Sequence, residues 1–583
     1  MKRLKLTQLL PTQQHLFEGE KGVLIHDPKS NSAPWWQTGI IYQIYPLTFA
    51  DANGDGIGDL LGIIEKLDYL NDGNPDSETS LGIDAIWLSP INRSPMVDNG
   101  YDVSDYYQIN EKFGTLADFE RLLTECHQRG IKVILDLVIN HTSNQHGWFL
   151  ESSSSKDNPK SDWYHWQDPV PGGGVPNNWL SYFGGTGWTY CSARDQYYYH
   201  SFNSNQPDIN WGNKEVKAAV FAMIRFWLDK GVDGFRLDAS SVYSKDKFYR
   251  FNPVKFDAND NNKYNNQHHL YNKNLPENHL IIQEIRQIID QYQDRVLIGE
   301  TFIDSDLYES AVFYGINNDE LHLPLTFEFP FSPWYPGYLQ RQIAKNELIT
   351  PKGAWASYFL DNHDVPRHLS RWVECSLCTN QLGIAQAAAA ILLTVRGTPI
   401  LYYGQEIGMV DNVEIPPEKI QDKIVVRSDT DDDPESRDGA RTPMQWDTQS
   451  NAGFSGGKSV EPWLPVNQNY QSVNVAQELK DPDSILNFYR QLIKVRRNSK
   501  ALLRGTWRTL IHYPYEHLAY VRETEQEQVL ILINFSYEQN LQLDEDIEGD
   551  NWQVLVSNFR KTNQVIALPQ TLEAFEVSIM KKQ

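Results

Sequence analysis

Short apolar runs alternate with longer amphipathic segments along most of the chain, from about residue 40 onward. Seven runs have the length and β-rich character of buried strands, and polar, glycine or proline residues soon follow each one. They are GIIYQIYPL, IDAIWLSP, IKVILDLVINH, VDGFRLD, RVLIGE, WASYFLDNHD and TPILYYGQE, and HLPLTFEF is a fainter eighth. Strands that alternate with helices form a parallel sheet, and eight such units close a barrel. The pattern predicts an α/β fold, a (β/α)8 TIM barrel.

The segments between these runs have the spacing of amphipathic helices. In TLADFERLLTECHQRG, Thr115 and Asp118 predict a capping box, and Gly130 marks the helix end. EVKAAVFAMIRFWLDKG repeats the design, with four apolar residues from Val216 to Trp227 on one face. These two segments are predicted to be barrel helices.

Three departures from the alternation predict further parts of the molecule. Residues 142–210 are rich in Ser, Gly, Pro, Asn and Trp and too long for an ordinary loop, so they predict a small domain inserted after the third strand. Residues 405–466 form a second irregular excursion. Near residue 503 the pattern changes to period-two strands without helices, which predicts a C-terminal antiparallel β-sandwich. The predicted parts are an N-terminal extension (1–35), the barrel (36–141 and 211–502), the inserted domain (142–210) and the C-terminal domain (503–583).

Composition narrows the classes of partner. The chain has 583 residues, a formal net charge of −24 and 40% hydrophobic residues, which together predict a multidomain globular protein. Its negative charge would repel nucleic acid and anionic lipid surfaces, so neutral ligands are favoured. The 17 Trp and 30 Tyr are weak support for sugar binding, because such rings suit sugar faces but mostly form core.

The cysteines and the absence of long apolar stretches give two further expectations. Cys375 and Cys378 have no second cysteine pair to complete a zinc site, so free thiols are predicted for them and for Cys126 and Cys191. No stretch reaches membrane-spanning length, and the start of the chain has no sustained apolar run. We therefore expect a cytoplasmic enzyme.

Charged residues gather where the predicted strands end. In GVDGFRLDAS, Arg236 and Asp238 share one face of a strand. Asp136, which lies deepest in its strand, is predicted to form a structural salt bridge. Since strand ends build the site of such a barrel, Asp238, Glu300 and Asp364 are expected to converge on one cleft. There Arg236 should lower the pKa of Asp238, while mutual repulsion keeps another carboxyl group protonated.

Four of these segments carry a family resemblance. DLVINH, GFRLD, GETF and FLDNHD, in this order on alternating strands, resemble the four signature regions of the α-amylase family of glycoside hydrolases, family 13. The resemblance runs from about residue 40 to the C-terminus, including the inserted domain and the terminal sandwich. It implies that Asp238 is the nucleophile, Glu300 the general acid/base and Asp364 the third carboxylate, with His141 and His363 binding the sugar ring. A retaining enzyme of this kind needs the first two carboxyl groups roughly 5 to 5.5 Å apart, which neighbouring strands can supply.

Further motifs point to a subgroup. DNGYDVSDY and HDVPR resemble the exo-acting α-glucosidases and oligo-1,6-glucosidases, and so do RTPMQW and QPDINW. That resemblance implies that Asp98 and Arg367 hold a terminal glucose and that Tyr101 stacks on it. Ala239, directly after the nucleophile, resembles the residue that accompanies α-1,4 specificity, whereas valine accompanies α-1,6. The alternative is that Ala239 is only a small packing residue.

The segment DANGDGIGD has oxygen-bearing side chains at alternate positions and glycines that permit a tight loop, as a hard cation requires. It resembles half of an EF-hand and the metal loop of the subgroup. The implied ligands of a structural Ca²⁺ or Mg²⁺ are Asp51, Asn53, Asp55, the Ile57 carbonyl and Asp59. An Asx turn without metal is the alternative.

The expected activity is hydrolysis of maltose and short malto-oligosaccharides by a retaining exo-acting α-glucosidase. A first alternative is a glucosyl-transferring isomerase of the trehalose synthase or sucrose isomerase type, which uses the same residues. A second is a non-enzymatic transporter subunit, a class that carries a membrane anchor and lacks the catalytic carboxylates. The expected ligand is a small oligosaccharide, and both a monomer and a homodimer remain open.

Overall fold

The computed structural model describes residues 33–256, 263–301, 307–376, 380–422, 436–545, 547 and 549–583. Most of the predicted N-terminal extension and part of the predicted excursion at 405–466 lie outside the described residues. The side chains of Cys375 and Cys378 lie outside them as well. Cys126 and Cys191 are free thiols, as predicted.

All eight predicted runs form strands of one parallel sheet. They are β1 (Ile41–Ile44), β2 (Ala85–Leu88), β3 (Lys132–Leu137), β4 (Gly234–Leu237), β5 (Val296–Glu300), β6 (Leu323–Leu325), β7 (Ser357–Phe359) and β8 (Thr398–Tyr402). The hydrogen-bonded order is β6-β5-β4-β3-β2-β1-β8-β7, with every neighbour parallel. Across the remaining seam the Ser357 hydroxyl donates to the Pro324 carbonyl over 2.8 Å. The (β/α)8 barrel prediction is confirmed.

The helices follow from caps and apolar faces that are readable in the sequence. Leu116–Gln128 begins with the predicted capping box of Thr115 and Asp118, and Gly130 follows its end at φ +75°. In Lys214–Asp229 the predicted apolar face is buried, and the Asn213 side chain caps its first turn. The other long helices around the barrel are Pro276–Ile289, Pro336–Ile349, His368–Ser376, Gln381–Thr394 and Ile485–Asn498, and shorter ones include Trp35–Thr38, Pro46–Phe49, Leu60–Glu65, Leu67–Leu70, Gly147–Ser154, Leu307–Ala311, Val475–Glu478 and Lys500–Arg504.

The segment between β3 and the helix Lys214–Asp229 contains its own antiparallel sheet. Its strands are Trp166–Gln167, Trp188–Cys191 and Gln196–Tyr199. Three buried rings, Trp179, Trp188 and Tyr199, form a local core. A β-bridge between His141 and Asp208 ties the far end of the segment to the residues after β3. The sheet thus lies next to the carboxyl edge of the barrel, and the predicted domain boundaries remain predictions.

The last part of the described chain is a six-stranded antiparallel sheet with both faces buried. Its strands are Thr506–Thr509, His517–Glu523, Gln528–Asn534, Trp552–Ser557, Val565–Ile566 and Val577–Lys582. Because side chains alternate along a strand, Tyr520 faces the main core while Ala519 and Val521 face a separate small core. The Tyr520 hydroxyl bonds Thr394 of a barrel helix. No helix in the described part of the chain is long and apolar enough to cross a membrane.

His165 gives a pH test of the inserted sheet. Burial lowers the pKa of His165 to about 4, whereas an exposed histidine in the unfolded chain has a pKa of about 6.5. Above about pH 6.5 the imidazole is neutral in both the folded and the unfolded state, and the folded state keeps its full stability. As the pH falls towards 4, only the unfolded state takes up the proton, so the free energy of unfolding decreases. Between pH 7 and pH 5 the free energy of unfolding should therefore decrease by about 2 kcal/mol less in His165→Gln than in the parent protein.

The measurement is urea unfolding of both proteins at pH 7 and pH 5. His268→Gln is the matched control, because His268 is exposed. An equal loss of stability between the two pH values in the parent protein and in His165→Gln would contradict the assignment.

Candidate active site

One buried guanidinium joins three carboxylates at the carboxyl edge of the barrel. Nη1 of Arg236 lies 2.9 Å from Oδ1 of Asp136 and 2.7 Å from Oδ1 of Asp238. Nη2 of the same group lies 2.8 Å from Oε2 of Glu300. The two Nη nitrogens of one planar guanidinium therefore bind Asp238 and Glu300, which keeps the two carboxylates close together.

Strand register explains this grouping. Asp136 on β3 and Arg236 on β4 are direct register partners, so their side chains stand next to each other on one face. Asp238 is the first residue after β4, on the same face as Arg236, and Glu300 is the last residue of β5. The prediction that Asp136 forms a structural salt bridge is confirmed, and this side chain is buried.

The charge balance of this cluster differs in one respect from the expectation. Burial raises the pKa of Asp238 well above its ordinary value, and the predicted opposing effect of Arg236 is present but smaller. Glu300 and Asp136 raise the pKa further. A single cation that serves three carboxylates cannot compensate all of them, so the cluster favours keeping one proton.

Asp364 lies in the opposite electrostatic environment. Its Oδ1 accepts from Nη1 of Arg437 at 2.8 Å and from Nη2 of Arg441 at 3.0 Å, and its Oδ2 lies 2.9 Å from Nε2 of His363. Burial alone would raise the pKa of Asp364, but these neighbours outweigh it and hold the pKa well below its ordinary value. Asp364 is therefore held as a fixed negative charge, whereas the pKa of Asp238 is raised.

Arg437 is the residue that the sequence analysis missed. Its Nη2 lies 3.2 Å from Oδ1 of Asp98 and its Nε lies 2.7 Å from Oδ2 of Asp422. Together with its contact to Asp364, this makes Arg437 the bridge between Asp98 and the carboxylate of the seventh strand. The available signal was the pair Arg437 and Arg441, which lie four residues apart in one short 3₁₀ turn and donate to the same oxygen.

Arg367, which is predicted to hold a terminal glucose together with Asp98, lies deep in the wall of the site. It is 0% exposed, and its Nη1 and Nη2 donate to the carbonyls of Tyr403 and Ala440 over 2.8 and 3.0 Å. Its side chain therefore binds the backbone of Tyr403 and Ala440 behind the site. The role of Arg367 in holding a terminal glucose stays a prediction, and the arginine that contacts Asp98 is Arg437.

The predicted sugar-binding rings lie next to Asp364. The Tyr101 hydroxyl lies 2.6 Å from Nε2 of His363, and the two rings stack at 5.3 Å. Nε2 of His141 lies 2.9 Å from the Tyr101 carbonyl. Burial lowers the pKa of His141, so its imidazole is neutral near pH 7. Gln206 links this group to Asp98 through a 2.9 Å hydrogen bond to Oδ2.

Ala239 has a left-handed backbone conformation, with φ at 47°. This conformation costs a residue with a Cβ roughly 1–2 kcal/mol. It directs the Ala239 amide N–H towards Oε2 of Glu300, at 2.9 Å. The residue after the predicted nucleophile thus positions the predicted acid/base through its backbone.

In the predicted metal loop, backbone N–H groups of the loop itself donate to the side-chain oxygens. Asp51 accepts backbone N–H groups at both carboxylate oxygens, Asn53 and Asp55 accept one each, and Asp59 accepts two and caps the following helix. These bonds form the Asx turns of the alternative interpretation. Within the described ranges no three His, Cys, Asp or Glu side chains are grouped to hold a metal. The donors, with the Ile57 carbonyl, are all oxygens, which is the chemistry that Ca²⁺ and Mg²⁺ prefer.

A parallel (β/α)8 barrel with several carboxylates at its carboxyl edge is compatible with a glycoside hydrolase. Comparison with known proteins agrees. The model of the alpha amylase catalytic domain matches residues 43–505. The chain belongs to the alpha-amylase family and is a glycoside hydrolase.

Relatives and solved structures are similar over nearly the whole chain. An oligo-1,6-glucosidase of Heyndrickxia coagulans is 40% identical over 91% of this chain and 96% of that protein. A probable alpha-glucosidase of Rhizobium meliloti (strain 1021) is also 40% identical, over 86% of this chain and 90% of its own. The structure of the alpha-glucosyl transfer enzyme XgtA has a TM-score of 0.83 at 36% identity, covering 95% and 100% of the two chains. The A258V mutant of the trehalulose synthase MutB has a TM-score of 0.83 at 35% identity, covering 94% and 100%.

Replacing Arg437 should affect kcat/KM more strongly than Tm. A lysine in Arg437→Lys is a single point charge that cannot bind Asp98, Asp364 and Asp422 together. Charge-assisted hydrogen bonds of this kind contribute about 1.5–3 kcal/mol each, so we expect kcat/KM for maltose to fall about 10- to 200-fold. Arg367→Lys is the control and should lower Tm more while changing KM less. Unchanged kcat/KM in Arg437→Lys would contradict the assigned role.

Proposed function

We propose that this protein is a retaining, exo-acting α-glucosidase that releases terminal α-1,4-linked glucose from maltose and short malto-oligosaccharides. The observation that carries the proposal is the Arg236 guanidinium, which binds Asp238 and Glu300 through adjacent nitrogens. Two carboxyl groups bound by one guanidinium support a double displacement, which requires them roughly 5 to 5.5 Å apart.

In the proposed mechanism Asp238 attacks the anomeric carbon while Glu300 protonates the departing glycosidic oxygen. A covalent β-glucosyl-enzyme forms, and the C–O bond to the leaving sugar breaks. Glu300, now ionised, removes a proton from water, which attacks the same carbon and releases Asp238. For this role Asp238 must be ionised, and the Arg236 guanidinium 2.7 Å away supports that by lowering the pKa of Asp238 against the effect of burial.

Asp364 and the residues around it are proposed to hold the sugar. As an ionised carboxylate fixed by two arginines, Asp364 can accept hydrogen bonds from ring hydroxyls as positive charge develops on the ring. His141, which is neutral near pH 7, and His363 are proposed as hydroxyl partners, and Tyr101 as the ring platform. Asp98 with Arg437 is proposed to bind the non-reducing end, which favours exo action on short chains.

The linkage preference rests on Ala239. A small side chain after the nucleophile supports α-1,4 cleavage through the family resemblance. The second candidate is oligo-1,6-glucosidase activity, which the name of the Heyndrickxia coagulans relative favours. The third is glucosyl transfer or isomerisation, which the trehalulose synthase neighbour favours. A cytoplasmic location remains a prediction.

Asp238→Asn combined with product analysis tests the proposed function. The parent protein should release glucose from maltose, and Asp238→Asn should lose this activity by several orders of magnitude at unchanged Tm, since an amide cannot form the glycosyl ester. Asp157→Asn, at an exposed aspartate, is the matched control. Isomeric disaccharides as the main product from maltose or sucrose would favour transfer, and near-parent turnover by Asp238→Asn would rule out the nucleophile.

Ala239→Val tests the linkage preference. A valine there should raise the ratio of kcat/KM for isomaltose over maltose about 10-fold, because one side chain in a pocket changes specificity by about 1–3 kcal/mol. The left-handed backbone adds a further effect, since a β-branched residue is disfavoured at φ 47° and Tm should fall. Ala239→Gly is the control and should keep both the ratio and Tm. No change of ratio in Ala239→Val would remove the linkage argument.

We also propose that the loop of Asp51, Asn53, Asp55, Ile57 and Asp59 binds a structural Ca²⁺ or Mg²⁺. Its oxygen donors at alternate positions support this role. A chelator should then lower Tm with little effect on kcat, since binding to the folded state alone stabilises it. Differential scanning calorimetry with and without added Ca²⁺ measures the effect. An unchanged Tm would leave the Asx-turn interpretation.

A further inference from the structure

A second cavity lies outside the candidate active site. It has a volume of about 480 Å³ and is lined in part by Met96, Val97, Asn99, Gln421 and Trp463. This volume lies within the range of about 300–1,000 Å³ that is typical of small-molecule sites. The cavity is therefore large enough for a ligand and is not a packing defect.

The wall of the active site separates this cavity from the catalytic carboxylates. The ring of Tyr45 stacks on His363 at 6.0 Å and lies against Trp463 at 6.2 Å. Asp98 binds Arg437 in the active site, while the next residue, Asn99, lines the second cavity. The two spaces thus share a wall one residue thick.

Several polar groups line the cavity wall. Asn99 is 8% exposed, and its carboxamide makes no hydrogen bond to any described residue. Gln421, which is half-buried, and Lys112, which is exposed, also line the cavity. The carboxamide atoms of Asn99 are not among the fully buried side-chain atoms that lack a partner, so they are open to the space of the cavity. Asn99 is therefore poised to bond something inside the cavity.

The backbone around Asn99 is also strained. Met96 and Asn99 have left-handed conformations, with φ at 66° and 50°. Such conformations cost of order 1–3 kcal/mol outside glycine and concentrate at ligand sites. Asp102 holds this turn through the amides of Val97 and Asp98. The turn thus presents Asn99 to the cavity at a cost in stability.

The chemistry of the lining selects a class of ligand. Trp463 offers an aromatic ring, Asn99 and Gln421 offer donors and acceptors, and Met96 and Val97 offer apolar surface. Among the described lining residues none carries a carboxylate, and Lys112 is the one charged group. Aromatic surface combined with amides fits a molecule that has apolar ring faces and many hydroxyls.

We propose that this cavity is a second carbohydrate site that binds one neutral glucosyl unit, separate from the active site. The sugar ring lies against Trp463, and its hydroxyls bond Asn99 and Gln421. Binding at this site needs no bond cleavage, so the proposal can fail while the proposed hydrolysis stands, and the reverse also holds.

The test is ligand-observed saturation-transfer NMR with D-glucose on the full chain. A saturating iminosugar inhibitor fills the active site, so that the remaining signal reports the second cavity. Val97→Trp should block the cavity and lower the glucose signal at least 10-fold. Val170→Trp is the matched control, because Val97 and Val170 are 39% and 38% exposed and only Val97 lines the cavity. Parent activity of both variants on maltose shows that they are folded.

A second pair of variants tests the polar contacts. Asn99→Gly keeps the left-handed backbone and removes the carboxamide, and Gln421→Ala removes the other amide. Each should weaken glucose binding several-fold without changing Tm. Loss in both, with retention in Val170→Trp, supports the proposal. It is overturned by the absence of glucose binding in the parent protein, by equal binding in Val97→Trp, or by inorganic phosphate displacing glucose through Lys112.

Discussion

The structure of the site depends on a single positive charge that is shared among three carboxylates. Arg236 binds Asp136, Asp238 and Glu300 in a place where water is excluded. An unpaired ion there would be costly, so each carboxylate is held where the guanidinium can reach it. Because one cation does not balance three anions, the pKa of Asp238 stays well above its ordinary value.

A second arginine organises the other half of the site. Arg437 binds Asp98, Asp364 and Asp422 and therefore connects the loop after β2 with the loops after β7 and β8. The cations around Asp364 hold its pKa low, whereas burial and neighbouring carboxylates hold the pKa of Asp238 high. Arg236 and Arg437 have different surroundings, and the pKa values of Asp238 and Asp364 are shifted in opposite directions. Different environments of this kind are a general way to give two carboxyl groups in one cavity different roles.

The barrel strands and several helices could be predicted from local pattern. Buried parallel strands are short apolar runs, and all eight runs became strands. The capping box of Thr115 and Asp118 is likewise a local feature. The grouping of Asp238, Glu300 and Asp364 was inferred from their places at strand ends. The partners of Asp98 could not be inferred in this way, because Arg437 comes from an irregular excursion more than 300 residues away.

Local pattern was enough to predict the barrel, the alternation of its elements and the residues at the carboxyl ends of its strands, because periodicity and strand order place side chains on faces and edges. Only the tertiary structure decided which arginine meets which carboxylate. Arg367 and Arg437 are chemically identical, and only packing made one a brace for backbone carbonyls and the other a partner of Asp98 and Asp364. The burial that raises the pKa of Asp238 is also a tertiary property, since desolvation depends on every element that covers the group.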